Sequence, residues 1–191
     1  MTEYDGGASA ARFSEFLRRQ PAPLPEVLEF FDSLPAVAVE EMDGAWAGGE
    51  LATGNPMDGM LGLMGWHGKR FEGPDGAHPL VMDDGHGGRF QVDPKFLPMG
   101  SVGALLPIVR RPLAAAATRR AMGAMRTSKP RARLREVAYR GVPTATMIYD
   151  ALPINDHFRR VDADTLLGVM DLRGLPAPYV FYLRREAGVG A

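Results

Sequence analysis

From residue 130 onward the chain alternates apolar and polar positions. "ARLREVAYRG", "VPTATMIYD", "PINDHFRRV", "TLLGVMDLRG" and "PYVFYLRRE" each repeat at the strand period of two. The connections between them run roughly two to six residues, too short for parallel crossovers, which predicts an antiparallel meander. Earlier strands are predicted at 65–72, 77–83 and 88–92, with "DDGHGG" as a hairpin signal, and within "DGAWAGGELATG", entered through a tight bend. About eight or nine strands are enough to close a barrel, which also removes exposed sheet edges.

Helical patterning appears in four other stretches. "FSEFLRRQ" is short, while "PEVLEFFDSL" puts Val27, Leu28, Phe31 and Leu34 on one face, with Pro25 suited to the first turn. "NPMDGMLGLMG" predicts a brief helix capped by Asn55, with Pro56 at N1 and Asp58 near the exposed N–H groups, ending near Gly65. "SVGALLPIVRRPLAAAATRRAMGAM" is Ala- and Met-rich and broken at Pro107 and Pro112. The predicted fold is therefore mainly β: one antiparallel barrel domain over 1–191. It has a helical segment at 1–35, a first half at 43–99, a helical insertion near 100–127 and a C-terminal strand meander at 130–186.

At 191 residues and 46% hydrophobic content, the chain can bury one core of ordinary size. Cysteine is absent, which removes thiol catalysis, thiolate zinc sites and disulfides. The acidic N-terminal stretch lacks a signal-peptide apolar run and nothing reaches spanning length, so the expectation is a cytoplasmic protein without stable membrane insertion.

The net charge of −1 conceals a strong asymmetry. Residues 1–93 carry 6 Lys/Arg against 16 Asp/Glu, residues 94–135 carry 10 basic side chains and no acidic one, and residues 136–191 carry 6 against 7. Arg110, Arg111, Arg119, Arg120 and Arg126 therefore form either a solvated helix face or an anion-attracting rim over a pocket. Nucleic acid is not expected, because no aromatic residue is interleaved with the block. The same helical segment is also compatible with lipid or protein contacts, and a homodimer stays open.

"GAWAG", with Gly44, Trp46 and Gly48, then "GNPMDG", "GWHGKRF" and "HPLV", resembles the bacterial and fungal GXWXG family. "RGVPTATMIYDALPINDHFRRVDADTLLGVMD" resembles the domain of unknown function that usually follows it. The resemblance spans about residues 28–186 and implies a lipocalin-like barrel of the calycin group. It also implies that a basic residue of the last strand lies across Trp46 at the closed end. In "YLRRE" alternation sends Arg184 and Arg185 to opposite sides, so only one can do this; Arg184 is assigned, and with Trp46 is read as structural.

Among chemical motifs, the phosphate-loop, dinucleotide-binding and G-x-S-x-G templates are not met, and none of the five serines lies in a predicted strand. His67, His78, His86 and His157 lack metal-ligand spacing, so neither a metal nor any other cofactor is expected; nitrobindin-like haem binding is the minor alternative. In "GWHGKRFEG", Trp66, Gly68 and Arg70 share one strand face and His67, Lys69 and Phe71 the other, so either phase puts a cation inside the barrel. That cation requires a carboxylate or an anionic ligand, and Asp58, Asp150, Asp156 and Asp171 are candidate partners.

"PINDHFRRV" similarly puts Asp156 on one face and His157 on the other. Asp156, His157, Lys69, Arg70 and Asp150 are the candidate catalytic groups, with Trp66, Tyr149, Tyr182, His78 and Asp58 the candidate ligand contacts. The methionines of the two helical insertions, including Met57, Met60, Met64, Met122 and Met125, suit a core or an adaptable apolar lid. The leading functional reading is a cup for a small hydrophobic or anionic organic molecule. It is read as a cofactor-independent acid–base enzyme (isomerase, lyase or cyclase of specialised metabolism), with a non-catalytic carrier as the alternative.

Overall fold

The computed structural model describes residues 5–96 and 112–187. Residues 97–111, which include the start of the helical insertion predicted at 100–127 with Arg110 and Arg111, fall outside the described residues. Two helices come first, α1 (Gly6–Arg18) and α2 (Leu24–Ser33). The first is longer than its apolar pattern predicts because Asp5 caps it, accepting from the amides of Gly7 at 2.9 Å and Ala8 at 3.2 Å.

Nine strands follow: β1 (Gly44–Glu50), β2 (Trp66–Phe71), β3 (Ala77–Asp83), β4 (Arg89–Gln91), β5 (Ala132–Tyr139), β6 (Val142–Tyr149), β7 (Ile154–Arg160), β8 (Thr165–Leu172) and β9 (Tyr179–Arg185). All pair antiparallel, in the order β2-β1-β9-β8-β7-β6-β5-β3-β4, and an additional β2–β3 pairing closes the ring. With β4 flanking β3, eight of the nine strands form the barrel itself. The ring is weakest between β3 and β5, where Ala77 and Ala132 are the one registered pair. Beyond that point β3 pairs with β4 through the predicted hairpin, whose Asp84 carboxylate accepts from the amides of His86 and Gly88.

Two apolar clusters account for the architecture. Inside the ring lie Trp46, Phe71, Leu134, Met147, Phe158, Phe181 and Leu183. Outside it, α1 and α2 bury Phe13, Phe16, Phe30 and Phe31 against Val161, Leu167, Val169 and Val180. Strand β8 is consequently covered on both faces, and on β7 Phe31 of α2 lies under Arg159 while Tyr139 stacks on His157, which erases the polar/apolar contrast of both strands.

At the closed end, Trp46 is 1% exposed and donates its indole N–H to the Met42 carbonyl at 2.7 Å. The cation across this ring is Arg185, 4.2 Å from its centroid, and not Arg184, which lies over Tyr182. Register decides between them: Arg185 pairs with Trp46 and its guanidinium also binds the carbonyls of Asp43 and Glu41.

The predicted helix at 55–65 is shorter than its pattern. Asn55 organises a turn, accepting from the Met57 amide and donating to the carbonyls of Ala177 and Pro178. The helix itself is α3 (Met60–Met64), bounded by Gly59 at φ +87° and Gly65 at φ +78°. The insertion's described helix, α4 (Pro112–Ala124), packs against α3.

Candidate functional site

The candidate site begins with a departure from strand alternation. Strand β2 carries register shifts on either side of Gly68, so Trp66, Lys69 and Phe71 are all buried while Arg70 is exposed. Strict alternation would have separated Trp66 from Lys69. Gly68 makes the bulge feasible, since a Cβ there would lie 1.9 Å from the Trp46 carbonyl oxygen.

Lys69 Nζ donates to Asp156 Oδ2 at 2.8 Å, and the two side chains are 3% and 1% exposed. Phe181, Trp66 and Tyr149 surround the ammonium, with ring centroids at 4.9, 5.6 and 5.7 Å. The second carboxylate oxygen, Asp156 Oδ1, is buried and meets no donor in bonding geometry among the described residues. Burial pushes the Asp156 carboxyl up against the opposing charge of Lys69, and burial pushes the Lys69 ammonium down against the opposing charge of Asp156. The proton affinities of acid and amine thus converge. Tyr149 beside them is held well above the ordinary phenol range, by burial first and by the Asp156 charge second.

These groups form the polar part of an apolar cavity of about 40 Å³ whose wall includes Met57, Met60, Met64 and Met170. Glu50 secures the helix over it, accepting from the amides of Gly59 at 2.6 Å and Gly62 at 2.8 Å. Tyr179 also lines the cavity, and its buried hydroxyl meets no partner in bonding geometry among the described residues.

Two family matches divide the chain. Residues 29–87 match the GXWXG protein family, and residues 130–185 match the domain of unknown function DUF4334. The chain belongs to the GXWXG family. A crystal structure of a protein from Thermomonospora curvata is 32% identical to it, covering 94% of this chain and 99% of that one with a TM-score of 0.69. No curated protein matches the chain. No helix among the described residues of this GXWXG protein is long and apolar enough to cross a membrane.

Of the residues singled out from sequence, Lys69, Asp156, Trp66 and Tyr149 come together in this GXWXG barrel. The others are elsewhere. Arg70 pairs with Glu72 at the surface, and exposed Asp150 lies 3.7 Å from Arg133. Asp58 accepts from the amides of Thr53 and Gly54, and Tyr182 packs edge-on against Phe13 beneath α1. His78 is buried 3.7 Å from Glu72, away from the cavity. Tyr179 and Glu50 were not singled out; the alternation Tyr179, Phe181, Leu183 contains the signal for the former once the register of Arg185 is known.

His157 lies on the outer face of β7, stacked on Tyr139 with ring centroids 3.8 Å apart, while its Nδ1 is 2.9 Å from Thr146 Oγ1. Burial lowers its pKa to about 4; Arg159 adds to the lowering and Asp171 opposes it. The unfolded chain takes up this proton near pH 6.5, before the folded one does. The resulting contribution to stability is full above pH 6.5, declines as pH falls toward 4, and totals about 3 kcal/mol. Urea unfolding at pH 7 and pH 4.5 is expected to show a smaller pH-dependent loss in His157→Gln than in the wild type. Equal losses in the two proteins would show that this imidazole is not the titrating group.

Proposed function

We propose that this barrel is a cofactor-independent acid–base enzyme acting on a small, mostly apolar organic molecule with one polar group. The observation that carries the reading is the Lys69–Asp156 pair on the wall of an apolar cavity, with the Tyr149 phenol beside the same carboxylate. A buried ion pair adds little net stability over apolar side chains of the same volume, so stability alone does not explain its presence. A carboxylate with raised proton affinity beside an ammonium and a phenol is equipped for proton transfer next to a carbonyl. Asp156 takes the proton from carbon, and Lys69 and Tyr149 donate hydrogen bonds to the carbonyl oxygen as charge develops there. Isomerisation, elimination and cyclisation can all begin with that step.

At about 40 Å³ the cavity has room for roughly three waters, whereas pockets that take drug-sized ligands measure about 300–1,000 Å³. Guest entry therefore requires α3 to move. Its flanking positive-φ glycines and methionine face suit a displaceable apolar cover. A haem reading has weaker support, since none of the four histidines lines the cavity. The carrier reading rests on the cavity's apolar wall and single polar cluster.

Native mass spectrometry of protein purified from its source is expected to find a retained small molecule. Deuterium exchange at the α-carbon of 2-hexanone, followed by NMR, separates enzyme from carrier. Wild type is expected to accelerate exchange and Asp156→Asn to lose about a hundredfold or more of that rate. Exchange at the background rate with wild type, or undiminished in Asp156→Asn, would remove the catalytic reading.

A further inference from the structure

A second concavity adjoins the first. A cleft of about 730 Å³ lies between α3, α4 and the β3–β4 hairpin, and Arg119, Arg120 and Arg126 line it. Trp66 lines both this cleft and the inner cavity, so one indole is the partition between a cationic space outside and an apolar space inside. Two aspartates also border the cleft, and Asp84 faces Arg126 electrostatically, which leaves Arg119 and Arg120 as the cleft's remaining cations. Asp84 is held by the amides of His86 and Gly88, and Asp83 faces His67 at 3.4 Å and Arg89 at 3.9 Å. Arg126 is packed over Phe90, 4.2 Å from its ring centroid. Arg119 and Arg120 take part in no ion pair among the described residues, and the stem of Arg119 lies against Gly65, the glycine joining α3 to Trp66.

We propose that this cleft is an anion-binding vestibule that takes the carboxylate or phosphate end of an amphiphilic molecule, whose apolar part passes Trp66 into the methionine-lined cavity. The proposal rests on the cavity reading above and narrows it to a substrate class. Guanidinium groups recognise carboxylate and phosphate through paired N–H donors, and Arg119 and Arg120, which meet no carboxylate among the described residues, present such donors to the cleft. The position of the vestibule also orients the guest: an acid held at α4 leaves the chain pointing toward Lys69 and Asp156. Anion binding against Arg119 would couple directly to α3, because the arginine stem touches the glycine on which that helix ends.

Calorimetric titration of octanoate, 1-octanol and inorganic phosphate into the full-length protein tests this. Wild type is expected to bind octanoate about tenfold more tightly than octanol, and the preference should shrink as potassium chloride is raised. The Arg119→Gln/Arg120→Gln variant is expected to weaken octanoate about tenfold while leaving octanol within twofold, and Arg119→Lys/Arg120→Lys to recover part of the loss. Octanoate and octanol binding equally well to wild type, or octanoate unaffected in the glutamine variant, would overturn the vestibule and leave the cavity standing. Phosphate binding as tightly as octanoate would make the cleft a free-anion site and likewise overturn the amphiphile. Failure of both octyl compounds to bind wild type would sink the vestibule and the cavity reading together. Equal weakening of octanoate and octanol in the glutamine variant would assign the arginines a structural role and overturn the proposal.

Discussion

Replacing Lys69 by Met is expected to reduce the unfolding free energy by about 3–5 kcal/mol, the scale for breaking one side of a buried ion pair. The double variant Lys69→Met/Asp156→Leu is expected to return to within about 1 kcal/mol of wild type or above it. The asymmetry follows from solvation. In the single variant the Asp156 carboxyl, 1% exposed, keeps the burial penalty and loses its compensating charge. In the double variant both penalties disappear and the cavity wall gains apolar contacts.

The sign of the pH dependence provides a second check. Burial raises the Asp156 carboxyl, and without Lys69 only the Tyr149 phenol is left to oppose that rise. A carboxyl raised on folding contributes fully below its unfolded pKa and loses that contribution as pH climbs through the folded value. The deficit of Lys69→Met should therefore be smallest in mild acid and largest at neutral pH and above. Urea unfolding monitored by circular dichroism at several pH values measures both effects. If the double variant is as unstable as the single, the pair is a structural tie, and the case for Lys69 and Asp156 as functional groups loses its energetic argument.

Gly68→Ala is expected to destabilise the barrel by at least about 3 kcal/mol, at the upper end of overpacking effects. The added methyl group would be 1.9 Å from the Trp46 carbonyl oxygen and 2.9 Å from the Gly48 amide nitrogen. Both are backbone atoms of β1, the strand registered against β2, so relief requires opening that pairing and not turning a side chain. Opening it would also release the bulge that puts Trp66 and Lys69 inside together. Gly62→Ala provides the contrast: it lies within α3, and beyond the helix's own backbone the new Cβ would meet only Glu50 Oε1, at 3.8 Å, among the described residues. That change should be neutral or stabilising by up to about 1 kcal/mol through the unfolded chain. Thermal melting of the two variants side by side settles the comparison, and a Gly68→Ala protein that melts with wild type would mean the bulge is not needed.

Much of the site was legible before any coordinates. Lys69 as a candidate buried cation, Asp156 as one of its four candidate partners and the methionines of 57–64 as core or lid all follow from residue type and spacing. His157 was grouped with Asp156 because adjacent strand residues cannot be ranked by pattern when both are buried. Here Tyr139 covers the outer side of β7 at His157, so Asp156 at 1% exposure and His157 at 2% look alike locally and face opposite ways. Tyr182, named as a ligand contact, faces α1 instead, whereas Tyr179, which was not singled out, lines the cavity.

What the amino-acid order determined by itself was the set of elements and the class of fold. Period-two alternation, short connections, the hairpin at "DDGHGG" and the amphipathic N-terminal helices are local properties, and a dozen residues suffice to express each. What only the tertiary structure decided was which face of each strand turns inward and which distant side chains meet there. Lys69 and Asp156 are 87 positions apart, Arg185 rather than Arg184 reaches Trp46, and the ring closes at a single registered pair between β3 and β5. Those outcomes depend on register, on one glycine bulge and on helices shielding the outer wall, so they are set by how whole strands pack and not by the pattern within any one of them.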